Sequence, residues 1–257
     1  MNFHFSKLLQ TMLLAAALLV PSSAWAITID GQVNDWGLTP AAFGASDWTP
    51  NSGIYYTEED QNPAVYYLNP GYGGQAFDAE GLYFTRDDNF AYFAIVAGFP
   101  LEGRFYQGQQ YYAGDVAFDF GRDGSYEFGL ETTGANQETL FGDPTWINPL
   151  FVSCGPYALA AGTAIGNALF AYDNTTYVGT GHYVFEFGIP ISFFGTSWSS
   201  SDYIPDLTVR WTMSCGNDCI ALSLDRVPHS PEPSTFVMLL LGMIGLSARA
   251  FFGKRTV

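Results

Sequence analysis

Gly81-Leu82-Tyr83-Phe84-Thr85-Arg86-Asp87-Asp88-Asn89-Phe90, continuing in apolar and aromatic residues to Phe99, is the stretch that decides the fold. Two aromatic and β-branched runs meet at a short Asp/Asn turn, and that combination predicts a β-hairpin. The device recurs where residues 115–120 and 125–132 flank Gly121-Arg122-Asp123-Gly124. In Tyr126-Glu127-Phe128-Gly129-Leu130-Glu131 apolar and polar residues alternate, as a strand with one buried face requires. Further strands are predicted at 27–29, 64–68, 168–172, 176–179, 183–189, 207–214 and 219–224. Helix signals are few: 157–169 is rich in small residues but is interrupted by Gly162 and Gly166. Strands separated by turns about every ten residues predict an all-β fold, an antiparallel, jelly-roll-like β-sandwich. No tandem repeat of solenoid or propeller length is visible.

Outward from this body lie two ends of different character. Met1 to Lys7 is a weakly basic start, Leu8 to Val20 an apolar run, and Ala24-Trp25-Ala26 an A-x-A site, so residues 1–26 read as a cleaved signal peptide with Ala24 and Ala26 at the cleavage site. At the other end, residues 231–257 hold Pro231-Glu232-Pro233, an apolar run over 236–248, and then Arg249, Lys254 and Arg255. With Arg249 snorkelling and 250–252 included, the run reaches about 17 residues, just enough for a transmembrane helix. The basic residues beyond it would keep the C-terminus on the cytoplasmic side. The expected organisation is therefore a signal peptide (1–26), a β-sandwich domain (27–224), a polar linker (225–230) and a C-terminal segment (231–257).

The chain carries 25 acidic and nine basic residues, a net charge of −16. Lys7, Arg249, Lys254 and Arg255 lie in the ends, so the body keeps only five arginines and no lysine. That balance excludes nucleic acid and anionic membrane surfaces as partners, since both require positive charge. It suits divalent cations. An aromatic content of 17% is the reverse of a disorder signature, so the acidic body folds.

The tail, with Pro231-Glu232-Pro233, Ser234-Thr235, Leu239-Leu240-Leu241-Gly242 and terminal Arg/Lys, resembles the PEP-CTERM sorting signal. The resemblance implies export, an inner-membrane-tethered precursor, processing by an exosortase near Pro231-Glu232-Pro233, and a final place on the cell surface or in the extracellular matrix of a Gram-negative bacterium. Separately, Ile29-Asp30-Gly31 with Asp35-Trp36, followed by the hairpin over 82–95, resembles family 9 carbohydrate-binding modules and related DOMON-like sandwiches. That second likeness covers about 40 residues and implies a sandwich able to meet a polysaccharide.

Candidate chemistry is sparse. Asp119, Asp123 and Glu127, with Asp115 nearby, place hard oxygen ligands around a glycine-containing turn, which suits calcium. The spacing is not that of an EF-hand, because Leu130 stands where the bidentate Glu should be. Trp36, Trp48, Trp146, Trp198 and Trp211 offer either a glycan platform or core filling. The body's histidines, His182 and His229, fall in no metal-ligand spacing, and Gly195-Thr196-Ser197-Trp198-Ser199 lacks the last glycine of a nucleophile elbow. A carboxylate pair such as Glu131 and Glu186 is all that points to a glycoside hydrolase. Of the three cysteines, Cys215 and Cys219 flank Gly216-Asn217-Asp218 and can close across that turn, with Cys154 to either as the competitor. The expected function is that of a non-enzyme: an exported structural or adhesive β-sandwich, with a carbohydrate-binding module as the alternative.

Overall fold

The computed structural model describes residues 26–41, 46–59, 73–151, 155–200 and 202–228. In chain order the strands are β1 (Tyr55–Glu58), β2 (Ala79–Arg86), β3 (Phe90–Ala97), β4 (Arg104–Tyr106), β5 (Gln109–Tyr111), β6 (Val116–Phe120), β7 (Phe128–Leu130) and β8 (Thr139–Ile147). They continue with β9 (Ala158–Asn167), β10 (Leu169–Asp173), β11 (Tyr183–Pro190), β12 (Tyr203–Ile204), β13 (Leu207–Thr212), β14 (Cys219–Leu224) and β15 (Val227–Pro228). Short 3₁₀ segments at Gly74–Phe77, Val178–Thr180 and Ile191–Trp198 are the helical turns among the described residues.

The hairpin of β2 and β3 pairs Leu82 with Ile95 and Phe84 with Phe93. Asp87 closes its turn: one carboxylate oxygen accepts the N–H groups of Asn89 and Phe90, both at 2.7 Å, and the other accepts the Tyr92 hydroxyl at 2.8 Å. An aspartate that gathers backbone donors in this way replaces the ladder bonds lost at a turn. Five strands form one antiparallel sheet in the order β1-β2-β3-β11-β10, and six form another, β14-β13-β6-β7-β8-β9. Two short ribbons, β4-β5 and β12-β15, stand beside them.

The jelly-roll-like sandwich expected from strand spacing is corrected by this connectivity. Strands β6 to β9 run as a consecutive meander, and no sheet closes on itself into a sandwich or barrel. The physical reason is turn length: short connections hold sequential strands side by side, whereas a jelly roll needs long crossovers. What holds at the coarser level is an all-β, sheet-rich domain.

Side-chain alternation divides β2, β3 and β11 between two apolar clusters. Leu82, Phe84, Phe93, Ile95, Phe185 and Phe187 point to the larger one, with Phe118, Val209, Trp211 and Ile220 of the six-stranded sheet. Tyr83, Ala94, Val96 and Val184, one residue out of phase, face the other way and meet Val33, Trp36, Leu38 and Trp48 of the N-terminal segment. Each fully buried large apolar side chain contributes roughly 1.5–3 kcal/mol, so the second cluster alone stabilises the segment's docking substantially.

Three local expectations change. Within residues 157–169, rich in alanine and glycine, Ala158–Asn167 form the long edge strand β9 and Leu169 opens β10. Residues 176–179 enter a 3₁₀ turn, because Asp173 draws in the N–H groups of Thr175 and Thr176 at 2.8 and 3.0 Å. Ile27 to Ile29 lie outside any strand, with Thr28 N–H donating to Asp35 at 2.7 Å. The expected strand at 64–68 lies outside the described residues.

The membrane reading is also corrected. Among the described residues no helix is long and apolar enough to cross a membrane. That finding gives no support to the inner-membrane-tethered precursor or to the exosortase and polysaccharide partners, and the segments that carried the expected signal peptide and transmembrane helix, residues 1–25 and 229–257, lie outside the described residues. Ala24, Pro231, Glu232 and Pro233 themselves lie outside the described residues.

Candidate metal centre

Asp119 is the penultimate residue of β6, and Asp123 and Glu127 follow across the turn that leads into β7. The turn requires left-handed backbone: Gly121, Arg122 and Gly124 have φ of 89°, 59° and 89°. Glycine reaches that region without a Cβ penalty, which is why Gly121 and Gly124 bracket the turn. Asp119 is buried and holds the turn from below, accepting the N–H of Asp123 at 3.1 Å and of Gly124 at 3.0 Å. Glu127 reaches back to accept Phe120 N–H at 2.7 Å, and Asp123 accepts Ser125 N–H at 2.9 Å.

These bonds bring one ligand oxygen of each of Asp119, Asp123 and Glu127 within 4.8 Å of one another, with Asp119 buried, Glu127 half-buried and Asp123 exposed. Burial pushes the Glu127 carboxyl above its ordinary range, and the charges of Asp119 and Asp123 add to that. A cation placed between the three would relieve the repulsion. The one cationic side chain of the turn, Arg122, turns away to pair with Asp225. The arrangement can therefore coordinate a divalent cation through hard oxygen ligands.

Asp115, expected beside these three, is not part of the cluster. It stands four residues up the strand from Asp119, about 13 Å away at 3.3 Å per residue. There it is buried, accepting Thr132 N–H at 2.9 Å and Leu159 N–H at 2.8 Å, and burial raises its carboxyl to about 6. Its work is structural.

A second set of acids was not legible as a site. Glu186 of β11 is fully buried under the N-terminal segment. It accepts Trp36 Nε1–H at 2.6 Å, Gly31 N–H at 2.6 Å and Asp30 N–H at 3.2 Å. Gly31 has φ of 83°, and a Cβ there would meet Asp173. Burial pushes Glu186 up to about 8, against the lowering effect of its donors. The residues Ile29-Asp30-Gly31 and Asp35-Trp36, which carried the second resemblance, are thus a clamp on a buried carboxyl. Nearby, His182 Nε2 lies 3.3 Å from Glu80, its Nδ1 lies 2.9 Å from the Thr180 hydroxyl, and Trp48 meets its ring edge-on at 5.2 Å. Asp218 accepts Ala79 N–H at 2.6 Å and bonds Asp78, tying the start of β14 to β2.

Glu131 and Glu186 do not form a pair: Glu131 neighbours Asp115 beside the six-stranded sheet, while Glu186 belongs to the five-stranded one. Trp36, Trp48, Trp198 and Trp211 are buried, and Trp146 is half-buried against Tyr126. The first four belong to the two apolar clusters, and Trp146 to neither. A surface cavity of about 520 Å³ is lined by Asp88, Asn89, Phe90, Ile191, Trp198 and Ser199. The expected Cys215–Cys219 bridge is corrected. Cys215 is free and buried in the larger apolar cluster, while Cys219 is disulfide-bonded. Cys154 lies outside the described residues.

Comparison with known protein families, curated proteins and solved structures finds no match for the chain.

Proposed function

We propose that this domain is a non-catalytic, calcium-binding β-module with a structural role, its ion held at the β6–β7 turn by Asp119, Asp123 and Glu127. The observation that carries the reading is the convergence of three carboxylates within 4.8 Å at a turn whose only cation points elsewhere. Calcium is favoured over softer metals because every side-chain ligand is a carboxylate, and over magnesium because a glycine-bracketed surface turn adapts to a large, irregular shell. The buried acids support the non-catalytic reading: Glu186 and Asp218 spend their acceptors on backbone and indole N–H groups. A sugar-stacking role is not favoured, since four of the five body tryptophans are buried.

Isothermal titration of the metal-free protein with Ca²⁺ tests this. The expected result is one saturable site that disappears in Asp123→Asn and in Glu127→Gln. No binding by the wild type, or binding unchanged in both variants, overturns it.

A further inference from the structure

The surface cavity at the β2–β3 turn has a buried arginine with an open edge beside it. Asp88, Asn89 and Phe90 at the turn form one side of the cavity, and Ile191, Trp198 and Ser199 form the other. The two sides are pinned together where Ile191 N–H donates to the Asn89 carbonyl at 2.8 Å. A volume of about 520 Å³ suits a small molecule.

Arg86 ends β2 next to this cavity. Its side chain is only 3% exposed, and its guanidinium carbon lies 5.7 Å from the centre of the Trp198 ring. Nη1 donates to the Tyr203 carbonyl at 3.2 Å, and the same carbonyl accepts the Trp198 indole N–H at 3.0 Å. Nε and Nη2 are buried and make no hydrogen bond to any described residue. These two atoms form one edge of the guanidinium, whose parallel N–H groups are spaced to meet both oxygens of a carboxylate. The edge faces the cavity wall, since Nη2 stands 3.6 Å from Oδ1 of Asp88, a lining residue. That separation is too long for a hydrogen bond, and the Asp88 side chain is 78% exposed. Buried charged donors without acceptors are destabilising, so the edge favours a carboxylate that completes it.

The acids around Arg86 define the rest of the ligand. Asp88, Asp87 and Asp202 are the carboxylates whose charges reach it. The oxygens of Asp87 are taken up by the turn, and Asp202 accepts the Ser200 hydroxyl at 2.9 Å. Three acids against one arginine repel a bare anion, and a dianion such as phosphate more strongly. A ligand that carries a positive charge next to its carboxylate escapes this repulsion, and Asp88 stands in the wall to receive it. Phe90, Pro190 and Ile191 offer apolar surface to the remainder.

We infer that this cavity binds a small zwitterion of the α-amino acid type, its carboxylate on Nε and Nη2 of Arg86, its ammonium on Asp88 and an apolar side chain against Phe90 and Ile191. Asp88 shifts from Arg86 to the ammonium as the ligand's carboxylate takes its place. The site shares no residue with the β6–β7 turn.

Isothermal titration of the full chain with L-phenylalanine, 3-phenylpropanoate and phenethylamine, each to about 10 mM, tests the inference. The expected result is one saturable site for L-phenylalanine, with both analogues weaker by roughly tenfold or more. Arg86→Lys keeps the charge but loses the paired edge, so it should weaken L-phenylalanine by a similar factor. Asp88→Asn falls on an exposed side chain; it should weaken L-phenylalanine and tighten 3-phenylpropanoate, and it decides the matter even where Arg86→Lys fails to fold. Circular dichroism checks both variants. No binding of L-phenylalanine by the wild type, binding unchanged in either folded variant, or 3-phenylpropanoate held as tightly as L-phenylalanine overturns the inference.

Discussion

Glu186 and the Asp119–Asp123–Glu127 turn put the same functional group in opposite settings. Glu186 is fully buried, and its donors come from the N-terminal segment, some 150 residues away in the chain. The turn acids are gathered within nine residues of sequence, are partly open to water, and crowd one another. A lone buried carboxyl surrounded by N–H groups holds parts of a fold together. Several carboxylates converging at a partly exposed turn repel one another, and a cation answers that repulsion. Burial and partner type, rather than residue type, separate the acid that builds from the acids that bind.

The largest effect that could break this contrast is the loss of Glu186. Glu186→Ala leaves the Trp36 and Gly31 donors buried without an acceptor, at about 1–3 kcal/mol each. Since each kcal/mol shifts the midpoint of a domain this size by about 2–4 °C, Tm should fall by roughly 4–24 °C. Glu186→Gln keeps an acceptor and the neutral form, so it should cost about 1 kcal/mol or less. Equal losses in the two variants would refute the clamp.

Next in size is calcium. A ligand at a hundred times its Kd stabilises by about 2.7 kcal/mol, which corresponds to a rise of roughly 5–10 °C here. Asp123→Asn should abolish the rise while leaving the metal-free Tm nearly unchanged, because the Asp123 side chain is exposed.

The pH dependence sharpens the contrast further. Glu186 is held at about 8 against an ordinary 4.5, and Asp115 at about 6 against 3.8. A carboxyl raised in the folded state contributes stability that is full below its unfolded value and is lost as pH rises through its folded one. Metal-free stability should therefore decline between about pH 4.5 and 8, and Glu186→Gln should flatten the upper part of that decline. Asp87, Asp173 and Glu102, shifted the other way by hydrogen bonds that outweigh their burial, act in the opposite sense only at more acid pH. Thermal melts across about pH 2 to 9 read both.

The smallest effect belongs to Arg122. Its pairing with Asp225 is exposed, so Arg122→Ala should change stability by less than about 1 kcal/mol. Calcium affinity should stay the same or rise slightly, because a positive charge has left the turn.

The hairpin of β2 and β3 was legible because its signals are local: alternating aromatics and an aspartate at the turn. The same holds for Asp119, Asp123 and Glu127, which lie within one hairpin. β9 was not legible, since alanine and glycine carry little strand preference and its extended form comes from pairing with β8. Asp115 looked like a fourth ligand because sequence counts residues, whereas a strand spaces them 3.3 Å apart. The Glu186 clamp was invisible for the opposite reason, with acceptor and donors about 150 residues apart. Cys215 and Cys219 looked bridgeable across three residues, yet Cys215 points into the larger apolar cluster while Cys219 is bonded elsewhere.

The most direct test of the cation site is a set of parallel melts with rising Ca²⁺, comparing wild type, Asp123→Asn and Glu186→Gln. If the turn acids bind and Glu186 only builds, wild type and Glu186→Gln should climb by the same increment and Asp123→Asn should stay flat. A rise in Asp123→Asn equal to that of the wild type, or no rise in the wild type, would contradict the account.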